Sequence, residues 1–478
     1  MEAALQGIEY TPFAAPQVPE RLLDLVFILD CTGSMGSYIA SATKNIELIC
    51  DNIIQSGRLT SAESLRIGLI AYRDYPPQDN SYVTKSFAFT SSVANVKEHL
   101  KTLYASGGGD GPEGVTAGMK AALELDWRPG AAKMTVLIAD APCHGIGEYG
   151  DGFPTGGPDG EDPLLIARQM ASQGIPLFVV ACEPALSGYQ FGLDFFRALT
   201  IITSALLVPL TTAALLSHVI VGASLEHLEM ERLIQEVGRA VAERIHLGME
   251  TVDDVARELH EKLMLRGEET KQLQFESIHR ETDETRHNVE TFVNAPDLQS
   301  AKPLLQKVRG SRFTEKYLQS RYQSSFARGS SMPGGALYPA LPPRPGSSAT
   351  TSATSYTSFS TLGGGGGGGA LSPPSSPSSR RVLSEFKPFA AGSGLSVADA
   401  PLGYPSSATT SHDNNNNNNN NNLNNDESNR NRSGGGGVKL DADEELAQSV
   451  ELRFAGISLE QAKRITIASA WRTAPPRA

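Results

Sequence analysis

The sequence predicts an α/β fold of the doubly wound, Rossmann-like kind: a mainly parallel sheet with helices on both faces, then a helical extension and a long disordered tail. Three observations predict it. Short, nearly unbroken apolar runs such as Leu22–Leu29 and Met134–Ala139 read as strands buried on both faces, since a strand with one wet face would alternate. From about residue 22 to 222 such runs alternate with segments whose apolar residues recur at helical spacing, the pattern of a parallel sheet with crossover helices. After about Ser324 the composition turns abruptly to Pro, Ser, Gly and Thr.

Taken in order, Leu22–Leu29 is a central strand and Ser37–Gln55 a helix carrying Ile39, Ile46, Ile49 and Ile53 on or near one face. Leu65–Ala71 and Tyr82–Phe89 are strands. Ser92 is placed to cap a helix over Val93–Leu103, with Val96, Leu100 and Leu103 in step. A Gly-rich loop at Ser106–Gly111 leads into a helix over Glu113–Leu125, and Met134–Ala139 is a second buried strand. A Gly/Asp/Pro loop fills Pro142–Pro163. Helix Leu164–Gln173, strand Ile175–Ala181, a short helix near Phe191–Leu199, strand Ser204–Leu210 and a helix from about Thr212 complete the unit.

The expected organisation is an N-terminal extension (1–21), the α/β domain (22–222), a mostly helical extension (223–323), a low-complexity linker (324–440) and a short helical motif (441–472). The linker includes glycines from Gly363 to Gly369 and asparagines from Asn414 to Asn422; such tracts bury too little apolar surface to offset the entropy of ordering. An Asn run is also a route to self-association through the tail. The last motif reads as two short helices, Asp441–Phe454 and Ser458–Trp471, the second opened by a Ser458/Gln461 capping box. It serves either as a docking motif or as a helix folded back on the first domain.

The chain has 478 residues and a formal net charge of −12, with no basic stripe interleaved with aromatics, which argues against nucleic acid as the main partner. Cys31, Cys50, Cys143 and Cys182 form no CxxC pair and have no His at zinc-ligand spacing, so buried thiols in a reducing compartment are expected. The N-terminus lacks a basic n-region and a long apolar core, unlike a signal peptide. Ala198–Leu225 lacks Asp, Glu, Lys and Arg but is interrupted by Pro209, His218 and hydroxyl residues, and reads as strand and helix rather than a membrane span. A cytoplasmic protein is expected, with the nucleus left open.

The chemistry gathers where strands end. Leu22–Leu29 delivers Asp30, followed by Thr32 and Ser34 on one tight loop, and Met134–Ala139 delivers Asp140. The Gly-rich loop leads to Asp110-Gly111-Pro112-Glu113 just before a helix. Three element ends thus bring acidic oxygens to the carboxyl edge of the sheet, where open α/β sheets bind ligands. Carboxylates so close repel one another unless a hard, oxygen-seeking cation such as Mg²⁺ intervenes.

Strand-Asp30-x-Thr32-x-Ser34 resembles the Asp-x-Ser-x-Ser signature of the metal-ion-dependent adhesion site (MIDAS) in von Willebrand factor A domains, with Thr32 keeping the hydroxyl. Asp110–Gly114 is similar to the Asp-x-Pro-Glu-Gly stretch of the A-like domains in integrin β polypeptides, and Met134–His144 to the strand and Asp that close the site. DCTGSM, AYRDYPP (Ala71–Pro77) and GGGDGPE together look like the intracellular A domains found beside α-kinases. The resemblance implies a Mg²⁺ site (Mn²⁺ or Ca²⁺ as alternatives) held by Asp30, Thr32, Ser34, Glu113 and Asp140. It also implies recognition of a partner protein's Asp or Glu carboxylate at an open coordination position, without catalysis. Loops Pro142–Pro163 and Asp74–Ser81 would set specificity, with Asp74 and Asp110 at the rim or in a secondary role. Integrin β domains carry further acids just after the first motif; here Gly36, Ser37 and Tyr38 stand there, so a single ion is expected.

Two other readings arise. Asp30-Cys31-Thr32-Gly33-Ser34 also resembles the loop of Mg²⁺-dependent aspartyl phosphatases and phosphotransferases of the haloacid dehalogenase kind, with Gly150-Asp151-Gly152 as a later acidic motif. That motif, however, sits mid-loop rather than at a strand end. The other reading is a kinase-associated protein without its own kinase domain: no Cys follows Cys182, so the Cys/His zinc module of α-kinases is missing.

Overall fold

In the computed structural model the residues described are 21–59, 61–321 and 450–473. The N-terminal extension up to residue 20, the linker at 324–440 with its self-association reading, and residues 441–449 lie outside them. The described residues fall within one compact unit.

Strand β1 (Leu23–Asp30) is buried along its whole length and forms the centre of a six-stranded sheet. It pairs in parallel with β2 (Leu65–Tyr72) and β4 (Ala132–Ala139). Beyond β4 come β5 (Leu177–Cys182) and β6 (Leu207–Leu210), both parallel, while β3 (Thr84–Thr90) closes the other edge antiparallel to β2. The order β3-β2-β1-β4-β5-β6 is the mainly parallel, doubly wound sheet expected. Alternation along β1 divides the core. Leu23, Leu25, Phe27 and Leu29 join a cluster with residues of α1 (Gly36–Gln55), α2 (Val93–Lys101) and α6 (Leu216–Gly248). Val26 and Ile28 join the other, with α3 (Val115–Leu123), α4 (Pro163–Ser172) and α5 (Gly192–Ile202). All five parallel strands therefore end at one edge. Ser92 caps α2 as expected, accepting from the Asn95 amide at 3.3 Å.

Three boundaries differ from expectation for local reasons. The strand expected from Ile175 begins at Leu177, because the Ile175 amide closes the end of the preceding helix on the Met170 carbonyl at 2.8 Å and Pro176 has no amide hydrogen to donate. The strand expected from Ser204 begins at Leu207, since Ser204 has φ 62°, outside strand geometry. The helix expected from Glu113 begins at Val115: Glu113 bridges to Cys143, and the Gly114 amide donates to the Arg73 carbonyl at 2.8 Å.

Helix α6 runs without interruption through residue 222, and after α7 (Val252–Leu265) comes an unexpected strand, β7 (Glu269–Phe275). It pairs antiparallel with β8 (Val450–Gly456), from Glu269↔Gly456 to Phe275↔Val450. This corrects the helix expected over Asp441–Phe454: within the described residues that segment is strand. Val450, Leu452 and Phe454 alternate with period two, and the free edge of β7 supplies the backbone partners. Between β7 and β8, α8 (Asp283–Asn294) packs on α5, and the short α9 (Leu298–Ala301) follows. The expected second C-terminal helix is present as α10 (Leu459–Thr473). Its capping box is formed, with the Ser458 amide on Gln461 Oε1 and the Gln461 amide on Ser458 Oγ, both at 3.1 Å. Of the two roles considered for this motif, the chain shows folding back. Ile457, Ala462 and Ile465 share a core with Met230, Leu233, Val255 and Leu259 of α6 and α7, and Arg472 grips Glu231 with two bonds of 2.8 Å.

Candidate metal centre

Four chain segments meet at the carboxyl edge, held by backbone bonds. The Cys31 amide donates to Tyr72 O at 2.9 Å, Ser106 N to Cys31 O at 3.1 Å, Gly33 N to Gly107 O at 3.2 Å and Glu113 N to Pro142 O at 2.8 Å. The Gly-rich loop is glycine by necessity at two points. Gly107 and Gly108 have φ 80° and 81°, and a Cβ on Gly108 would stand 2.6 Å from Glu113 Oε1. Arg73, buried beneath the edge, bonds Cys31 O at 3.2 Å, Ser81 Oγ at 2.8 Å and Tyr104 O at 2.9 Å, tying three of the loops together.

Asp30 is fully buried. Its Oδ1 accepts from the Thr32 amide at 2.8 Å and hydroxyl at 2.6 Å, and its Oδ2 from the Tyr72 hydroxyl at 3.3 Å. Burial and then Asp140 push its carboxyl up to about 7 despite these bonds. Glu113 is raised to about 10, by burial and then by Asp30, Asp74, Asp110 and Asp140. Burial also raises Asp140, against a hydrogen bond from the Ser34 hydroxyl. Glu113 Oε2 is buried without a hydrogen-bond partner among the described residues. Thr32 is buried and Ser34 exposed, at the open side of the loop.

Among the described residues, acids and an imidazole draw together in a neighbouring cluster. Asp74, Asp110 and His144 each bring one ligand atom within 4.8 Å of the others, whereas Asp30, Glu113 and Asp140 do not converge to that spacing. His144 is clasped from both sides, Nε2 to Asp74 Oδ1 at 2.7 Å and Nδ1 to Asp151 Oδ1 at 2.8 Å. Burial opposes its charge, but the two carboxylates outweigh it and lift the ring to about 9, so it stands as an imidazolium at neutral pH. Asp110 accepts from the Gly152 amide, and its Oδ1, like Asp74 Oδ2, is buried without a hydrogen-bond partner among the described residues.

The sequence did not single out Tyr72, Arg73, His144 or Asp151 for these roles. The AYRDYPP stretch and Met134–His144 contain the first three, but the partners that matter most, Asp30 for Tyr72, Cys31 and Tyr104 for Arg73 and Asp74 for His144, lie 31 to 70 residues away. Asp151, the later acid of the phosphotransferase reading, turns instead to His144, the Gly145 amide at 2.8 Å and the Phe153 amide at 2.9 Å. Glu148 in the same loop accepts from three amides at the start of α5, Gln190, Phe191 and Gly192. All four cysteines are buried and free. Among the described residues no helix is long and apolar enough to cross a membrane.

Residues 24–202, which hold this sheet and its carboxyl edge, match the von Willebrand factor type A domain family. A stretch of 141 residues is 36% identical to alpha-protein kinase vwkA of Dictyostelium discoideum, covering 29% of this chain and 22% of that protein. Another of 139 residues is 32% identical to a putative ariadne-like RING finger protein, R811, of Acanthamoeba polyphaga mimivirus, covering 28% and 12%. The chain thus spans less than a quarter of the length of these relatives. Solved structures similar to it include the pilus adhesin SpaC of Lactobacillus rhamnosus GG in its open conformation, with TM-score 0.34 and 14% identity over 44% of this chain and 30% of that one. Proximal thread matrix protein 1 of the mussel byssus, with a zinc-occupied MIDAS motif, gives TM-score 0.30 and 12% identity over 43% and 45%. Both are distant.

Proposed function

We propose that this domain is a metal-dependent protein-binding module, holding one Mg²⁺ (or Mn²⁺ or Ca²⁺) with Asp30, Thr32, Ser34, Glu113 and Asp140. The observation that carries the proposal is electrostatic. Burial raises the proton affinity of three carboxyls on different elements, Asp140 adds to the shift at Asp30, Asp30 and Asp140 add to that at Glu113, and Glu113 Oε2 is buried without a partner among the described residues. An all-oxygen donor set of this kind suits a hard cation. Bound there, the ion would neutralise the acids and offer an open position to a carboxylate of the partner. Asp30, held by Thr32 and Tyr72, is pre-oriented as a ligand, and Thr32 and Ser34 add hydroxyls on the same loop.

The proposal keeps to a single ion. At Asp74 and Asp110 a positive charge is already present in the His144 imidazolium, which leaves those acids a rim role. The function is recognition rather than catalysis, and the free, buried cysteines support an intracellular, cytoplasmic setting. The test is a thermal melt with and without Mg²⁺, paired with affinity capture from a lysate. Mg²⁺ at a hundred times its Kd stabilises the wild type by about 2.7 kcal/mol and leaves Asp30→Ala unmoved. A captured partner set unchanged by both EDTA and Asp30→Ala would sink the reading.

A further inference from the structure

Beside the metal loop lies a groove of about 680 Å³ between α1 and α2. Its metal-side end is formed by Gly36, two residues after Ser34, and Ala105, whose neighbour Ser106 is bonded to Cys31. Its floor includes the buried apolar side chains of Ile39, Leu100 and Leu103. Its walls carry Lys44, Lys97 and Lys101, and Tyr104 stands 61% exposed among its lining residues. The chain as a whole carries −12, so three lysines along one channel are a local reversal of sign. Lys44 has no ion pair among the described residues. Lys97 meets Glu47 at 2.8 Å and Lys101 meets Glu98 at 2.6 Å, but these glutamates are 57% and 68% exposed. Exposed pairs of this sort are weak and readily exchanged for a better-placed anion.

We propose that this groove seats an acidic stretch of the partner, continuous with the carboxylate that the metal takes; the proposal rests on the metal-binding reading above. The geometry sets the spacing. From Gly36 to Lys44 helix α1 rises about 12 Å at roughly 1.5 Å per residue. An extended peptide at about 3.3 Å per residue crosses that in roughly four residues. The recognised segment is therefore an Asp or Glu at the metal with further acids about four residues away, over a linker small enough to pass Gly36 and Ala105.

The probe is a fluorescein-labelled peptide, Glu-Glu-Gly-Gly-Gly-Asp-Gly-Gly-Gly-Glu-Glu, which serves either chain direction, with a control in which Gln replaces the four Glu. Fluorescence anisotropy is read on the full chain in Mg²⁺ and in EDTA. The expected result is that the Glu peptide binds about tenfold more tightly than the Gln control in Mg²⁺. That advantage disappears in Lys44→Glu/Lys97→Glu/Lys101→Glu, while binding of the Gln control to the same variant is unchanged and shows that it is folded. Equal affinities of the two peptides for the wild type, or an advantage that survives charge reversal, overturn the groove. Failure of the metal reading looks different: binding of the Gln control is then indifferent to EDTA and to Asp30→Ala.

Discussion

Strand β1 has a buried carboxylate near each end, and the two are treated in opposite ways. Asp24, at the amino end, is fully buried and surrounded by donors: Arg66 Nε at 3.0 Å, a second Arg66 nitrogen at 2.7 Å, the Arg128 amide at 2.8 Å and Arg128 Nε at 2.9 Å. Asp30, at the carboxyl end, is as deeply buried but accepts only neutral donors from Thr32 and Tyr72, with Asp140 as the charged neighbour that raises it most. One strand and one residue type thus give a carboxylate already neutralised and one left short of positive charge. Burying an ion without a partner costs several kcal/mol, so the second carboxyl holds its proton to a higher pH unless a cation takes the proton's place. This difference separates a staple from the proposed site more clearly than burial does.

The comparison breaks first if the staple is not one. Asp24→Asn keeps the shape and removes the charge, leaving two guanidinium groups that are each 21% exposed facing a neutral amide. Breaking a buried pair from one side costs about 3–5 kcal/mol; because these arginines reach water, about 3 kcal/mol is expected. Urea denaturation in EDTA reads it, and a loss under about 1 kcal/mol would mean that Asp24 is not neutralised by its arginines in any useful sense.

What the sequence revealed of the two ends differs for a physical reason. Asp30 and Asp140 were legible because each directly follows an apolar run, and the strands end where those runs end. The fold was legible for the same reason. Asp24 was not, because Arg66 and Arg128 lie 42 and 104 residues away and no local pattern links them. His144 was hidden in the same way, with Asp74 at 70 residues' distance. Strand β8 was misread because a short amphipathic segment fits either period until its partner is known, and β7 lies far upstream.

The second prediction sharpens the carboxyl end. In metal-free protein Asp30 takes up its proton at about 7 rather than 3.8, so the folded state holds that proton when the unfolded state has released it. Between these values the folded state binds more protons. Stability therefore falls as pH rises, by up to about 1.4 kcal/mol per unit for one group. From pH 5 to 7 Asp30 alone contributes a fall of about 2 kcal/mol. Denaturation in EDTA should show this slope in the wild type and a shallower one in Asp30→Asn. Saturating Mg²⁺ should flatten the wild-type slope, because both ends of the titration then hold a neutralised carboxylate. A metal-free stability that rises over this window would mean that the acids at this edge are compensated after all.

The smallest effect tests whether the two ends are independent. Asp24 and Asp30 are six residues apart on one strand, about 20 Å at roughly 3.3 Å per residue, and share no hydrogen-bond partner among those named. Sites that far apart add to within about 0.5 kcal/mol. The double variant Asp24→Asn/Asp30→Asn in EDTA should therefore lie within that margin of the sum of the singles, and Mg²⁺ should stabilise Asp24→Asn by as much as it does the wild type. A coupling above about 1 kcal/mol would show that β1 transmits charge or strain along its length. The staple would then belong to the site, and Arg66 and Arg128 would have to be counted among the groups that tune metal affinity.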